Sequence, residues 1–110
     1  MKHMLLIYRD EARFGNGRTS GQHSLAYVDF ARSMAEAGIL ISGYRLQPSA
    51  STVRVVNDKA KAADGHYAET EEQLGGLYVI DVADLDEALK WAARCPGASQ
   101  GTIEVRPIWE

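Results

Sequence analysis

An α+β fold of ferredoxin-like order, β-α-β-β-α-β with a small hairpin inserted and an antiparallel sheet, is predicted by three observations. Two short runs, 4–8 (MLLIY) and 77–82 (LYVIDV), are apolar on both or nearly both faces, as inner strands are. Two longer stretches place apolar residues three and four apart and carry helix stop or start signals at their ends. Between them, Thr52 to Ala63 reads as two short arms around Asn57 and Asp58, a turn pair that closes hairpins.

The elements follow in order. In 4–8, Leu5 and Ile7 face one side, and Met4, Leu6 and Tyr8 the other. A strand greasy on both sides needs two covers, and in so small a domain the second is expected to be a partner subunit. Residues 10–21 hold three glycines and the Thr19-Ser20 pair, a loop long enough to act as a lid and ending in a helix cap. The spacing of Tyr27, Phe30, Ala31 and Met34 predicts a helix over 22–37, with His23 one turn before Tyr27 and Gly38 as a left-handed stop. The second strand, 39–46, contains Gly43, which signals a bulge or a close approach of another group.

Residues 52–56 read as a half-exposed strand and 59–63 as its return arm. Gly75 and Gly76 leave the backbone bare ahead of 77–82. Asp84, Asp86 and Glu87 then begin a second helix, because a carboxylate can accept the free amides and acids oppose the positive end of the helix dipole. Leu85, Ala88, Leu89, Ala92 and Ala93 are its expected buried stripe, with Trp91 toward the edge, and Cys95-Pro96-Gly97 its stop. Residues 102–109 close the sheet with Ile103 and Val105 inward, Glu104 and Arg106 outward.

Composition narrows the function. The 110 residues make one domain, 1–110, of a size that buries somewhat over about 60% of its unfolded surface. A net charge of -3 with scattered basic residues excludes a phosphate-backbone partner, so no nucleic acid is expected. The apolar run near the N-terminus is too short for a signal core or a membrane span, which makes the cytoplasm the expected compartment. The single Cys95 has no partner for an internal disulfide or a metal knuckle.

The run DGHYAETEEQLGGLYVIDVADLDEALKWAARCP, with MLLIYRDEARF at the start, GYRLQP and STVRV in the middle and IEVRPI at the end, resembles the DGPF group of the YCII-related proteins. The most specific positions are Asp64 and Gly65, then Ala68, Glu69, Thr70, Gln73, Leu74, Gly75 and Gly76. The resemblance implies a ferredoxin-like fold assembled as a dimeric α/β barrel. It also implies a link to extracytoplasmic-function sigma factors, and no settled activity. The last two letters of the family tetrapeptide, Pro and Phe, are here His66 and Tyr67, which exchange a rigid turn for a titratable imidazole and a phenol. The Asp that shorter relatives carry near the end of their second helix, in a suggested His and Asp dyad, has no counterpart in Ala93-Arg94-Cys95-Pro96.

Chemistry is expected around Asp64, His66 and Glu69, which lie within six residues, since a carboxylate beside an imidazole is the usual make-up of an acid/base site. His23 is the second candidate for proton transfer. The expected site is a pocket between the 22–37 helix and the sheet, with His66, Asp64 and His23 catalytic and Tyr8, Glu69, Gln73, Gly76 and Arg45 in contact with a ligand. Arg45 and Arg54, read as coming from neighbouring strands, could hold a carboxylate bidentately. His3, His23 and His66 match no compact ligand spacing, so neither a metal nor another cofactor is expected. Two functions follow: a homodimeric small-molecule protein, with acid/base catalysis as its form of chemistry, or a non-catalytic module that binds a regulator of the sigma-factor type.

Overall fold

The computed structural model describes residues 1–10, 21–47, 49–65 and 72–110, and excludes the side chains of 21–24, 63 and 64. Six strands, two α-helices and one 3-10 turn follow one another: β1 (Lys2–Arg9), α1 (Gly21–Glu36), β2 (Leu40–Arg45), β3 (Ser51–Val56), β4 (Lys59–Asp64), β5 (Gln73–Asp81), α2 (Leu85–Arg94), the turn Pro96–Ser99 and β6 (Thr102–Pro107). Strands β2, β5, β1 and β6 form an antiparallel sheet in that order, with β3 and β4 apart as a hairpin. This is the ferredoxin-like arrangement with the hairpin inserted between its second and third strands.

The core lies on one face of the sheet. Leu5 and Ile7 of β1 and Ile80 of β5 meet Phe30 and Met34 of α1 and Ala88 and Ala92 of α2, all buried. Alternation puts Met4 and Leu6 on the opposite face, and the register Met4↔Val79 and Leu6↔Leu77 sets four apolar side chains side by side there. No described element packs over that face.

Both helix ends have identifiable causes. Gly38, at φ +74, ends α1, while the Gly38 amide donates to the Ala35 carbonyl (3.0 Å) and the Ile39 amide to that of Met34 (3.1 Å). That pair of bonds is a Schellman motif, which needs a left-handed residue. At α2 the Asp84 carboxylate accepts from the Glu87 amide at 2.9 Å. Its buried stripe differs from the expected one: Ala88 and Ala92 are buried, whereas Leu85, Leu89 and Ala93 are exposed. Trp91 and Cys95 take their places, with Trp91 6.4 Å from the Phe30 ring. The spacing fits several rotations of a helix this short, and the larger indole decides between them.

The strands differ from expectation in extent and in exposure. β5 begins at Gln73 rather than 77, because pairing with Arg9 and Arg45 on its two sides holds the glycines in extended backbone. β6 ends at Pro107, which has no amide to donate. β3, expected half-exposed, leaves Val53 and Val55 64% and 69% exposed, since the hairpin stands clear of the sheet. The candidate lid, 10–21, lies almost wholly outside the described residues.

Candidate functional site

A cleft of about 350 Å³ opens between the second turn of α1 and the helix-side face of β2, β5 and β1. Ile7, Tyr27, Val28 and Tyr78 make its walls, and Gly43, Gly75 and Gly76 contribute bare backbone. The glycines are there for space. A Cβ at Gly43 would lie 2.5 Å from Cδ1 of Tyr78, so its absence lets that ring lie across β2. A Cβ at Gly76 would lie 3.0 Å from the Tyr44 carbonyl oxygen. The β-bulge opposite Ile7 and Tyr8 falls at Gly75, and the Leu46 amide donates to the Gly75 carbonyl at 2.9 Å. The Phe30 ring meets Tyr78 edge-on, centroids 5.6 Å apart, and fixes the back wall.

The polar groups of the cleft are phenols and guanidiniums. Burial pushes the Tyr27 hydroxyl far above the ordinary phenol range, with the Cys95 thiol adding to it and the charge of Arg9 opposing. Burial raises Tyr78 in the same way, again with a contribution from Cys95. Both rings therefore stay neutral at physiological pH. Cys95, 2% exposed, lies beneath them and donates through Sγ to the Tyr27 Oη at 3.9 Å, its own pKa raised by burial. A thiol so placed is a packing group. Arg9, Tyr44 and Arg45 complete the described lining, which holds no Asp, Glu or His.

Of the residues read from sequence as site residues, Gly76 and Arg45 line this cleft. Tyr8 lies on the other face of the sheet, where its Oη donates to the Glu104 carboxylate at 3.3 Å; burial, then the Glu104 charge, raises its pKa. Gln73 pairs with Arg9 at the head of β5 and does not line the cleft. Asp64 ends β4, where it pairs with Ser51 at the base of the hairpin. The side chains of Asp64 and His23, and the whole of His66 and Glu69, lie outside the described residues.

Arg45 and Arg54 do not sit on neighbouring strands, because β2 and β3 belong to different sheets; the arginine that shares the cleft with Arg45 is Arg9. Tyr27 and Tyr78 were legible only as apolar-face residues, and Arg9, one place beyond the expected 4–8 strand, was not legible as a site residue. Pairing across β5, which no local pattern encodes, brings them together. No three His, Cys, Asp or Glu side chains gather as metal ligands among the described residues. Nor is any described helix long and apolar enough to cross a membrane.

Comparison with known proteins places this geometry in a family. The chain is 46% identical over 81 residues to an uncharacterised protein of Rhizobium meliloti (strain 1021). That match covers 70% of this chain and 65% of the relative, so it spans slightly less than two thirds of the relative's length. The family profile of the YCII-related domain matches residues 1–110 from end to end. With its ferredoxin-like sheet, inserted hairpin and glycine-floored cleft, the chain belongs to the YCII-related family.

Proposed function

We propose that this protein binds a small molecule in the cleft between α1 and the sheet and works as a homodimer. The observation that carries the reading is the cleft itself: about 350 Å³, walled by Ile7, Tyr27, Val28 and Tyr78, floored by glycine backbone, with a few convergent polar groups. Binding sites combine these features in this proportion and at this size. The dimer is supported by the bare face of the sheet, where Met4, Leu6, Leu77 and Val79 adjoin with no described element above them. Catalysis at this cleft would take the form of proton transfer, with His66 or His23 carrying the proton and Asp64 orienting it.

The test is a fragment titration of the ¹⁵N-labelled protein followed by amide shifts. Saturable shifts centred on Gly43, Gly75 and Gly76 are expected; fragments that bind only elsewhere overturn the assignment. Replacing His66 by Pro tests whether His66 touches the ligand. Binding unchanged in that variant removes His66 from the site.

A second reading, a non-catalytic module for a sigma-factor-type regulator, draws its support from the hairpin, whose Val53 and Val55 stand 64% and 69% exposed. Under that reading Val53→Asp with Val55→Asp abolishes regulator binding and leaves the cleft titration unchanged. Retained regulator binding in the double variant removes the hairpin from it.

A further inference from the structure

We infer that the cleft takes a peptide-like ligand: an extended residue whose amide N–H and C=O pair with the backbone of Gly43 at the free edge of β2, while its apolar side chain enters the cleft. This class of ligand rests on the binding reading above.

Strand order supplies the first step. β2 is an end strand of the four-stranded sheet, and no described element pairs along its outer side. The Leu46 amide donates to the Gly75 carbonyl at 2.9 Å, and Tyr44 pairs with Leu77 in the same register. In an antiparallel ladder, residues that turn their backbone groups toward a neighbouring strand alternate with residues that turn them away. Ser42, Tyr44 and Leu46 therefore face β5, and Gly43 points its N–H and C=O outward. Gly43 is exposed, and it also lines the cleft. The cleft thus reaches the edge of the sheet where a backbone donor and acceptor stand together.

That pair of groups selects its partner. A donor and an acceptor from one extended residue are matched by the acceptor and donor of another, which is how an added strand is held. Residues directly opposite each other in such a pair share a face of the sheet. A residue opposite Gly43 therefore carries its side chain on the helix side, where the cleft lies. Gly43 has no side chain to obstruct it, and the Tyr78 ring lies across β2 at that point.

The walls then choose the side chain. Tyr78 of β5 and Tyr27 and Val28 of α1 offer apolar surface, which suits an aliphatic or aromatic group. Arg9 and Arg45 already have partners within the chain, and an uncharged ligand requires neither to give its partner up. β2 also lacks the Pro or Lys that commonly closes an edge strand to pairing, and its register shift falls before Ser42, ahead of Gly43.

The experiment is a titration of the ¹⁵N-labelled full chain, followed by amide shifts, with N-acetyl-L-phenylalanine N-methylamide and with a blocked tripeptide that places valine on either side of the phenylalanine. Saturable binding is expected, with the Gly43 amide proton moving downfield and the Tyr44 amide, which already faces β5, moving less. Methylating the phenylalanine nitrogen removes the donor to the Gly43 carbonyl and is expected to weaken binding about 10-fold. In the tripeptide, D-phenylalanine turns the side chain to the other face, and a loss of about the same size is expected. All of these changes are made in the ligand, so the folding of a variant does not enter.

A tripeptide that binds about 10-fold or more tightly than the single residue assigns the ligand to a strand of a larger chain, and a smaller difference assigns it to a free small amide. Either result supports the class. Methylated or D-forms that bind as tightly as their parents overturn it. So does the absence of peptide binding at millimolar concentration. In both cases the site stands if the fragment titration still moves Gly43, Gly75 and Gly76, and falls with the ligand class if it leaves them unmoved.

Discussion

At His3 the imidazole is wholly buried on β1, with Nδ1 3.2 Å from the Met1 carbonyl and Nε2 without a partner among the described residues. A buried polar atom left unsatisfied costs about 1–3 kcal/mol, while an apolar side chain of similar volume avoids that cost. His3→Leu is therefore expected to raise stability by up to about 1 kcal/mol, read from the urea midpoint. A loss beyond about 2 kcal/mol would mean that His3 holds a structural hydrogen bond. The thiol and phenol under the cleft make a second case. Cys95 and Tyr27 both have folded pKa values above their ordinary 9.0 and 10.0, so the unfolded chain releases these protons first as pH rises. Their contribution is intact below pH 9 and lost progressively above it. The thermal midpoint is expected to fall between neutral pH and strongly alkaline pH, less steeply in Cys95→Ala with Tyr27→Phe; an unchanged slope would assign the fall to other groups. Neither environment was legible in the sequence. His3 lies among ordinary strand residues, and Cys95 meets Tyr27 across 68 positions of chain.

The elements themselves were largely legible, for a physical reason: the signals that end helices and turn hairpins are local. Gly38 and Asp84 act through backbone groups within a few residues, and Asn57 and Asp58, both at positive φ, close the hairpin where the sequence places them. What could not be read was rotation and reach. Leu85 and Leu89 share the helical spacing of Ala88 and Ala92, but the core admits Trp91, which Arg94 covers from outside at 4.3 Å. The head of β5 likewise exists only because two strands pair with it. For α2, Asp84→Ala is expected to cost about 1 kcal/mol, and Leu89→Ala much less than the 2–5 kcal/mol of a core leucine. Chemical denaturation of both variants checks the pair, and a larger loss for Leu89 would mean that its exposed side chain is covered in solution.

The whole molecule is a thin slab, 48 × 37 × 18 Å, with a radius of gyration of 15.6 Å. A compact chain of this length has a radius near 13 Å. Among the described elements, the β3–β4 hairpin makes no substantial contact with any other, which spreads the chain. An 18 Å thickness is one layer of helix on one layer of sheet, and that leaves the second face of β1 and β5 open. In water four adjoining aliphatic side chains at the centre of a sheet favour a cover, and a two-fold copy offers the same patch in return. The expected species in sedimentation is therefore twice the 12.1 kDa chain. Leu77 pairs with Leu6 on one side and Tyr44 on the other, so Leu77→Glu places a charge at the middle of the proposed contact. That variant is expected to sediment as one chain, with a lower thermal midpoint that no longer rises with protein concentration. A stable monomer of the unsubstituted protein at micromolar concentration would end the dimer reading, and the cleft, lined within one chain, would survive it.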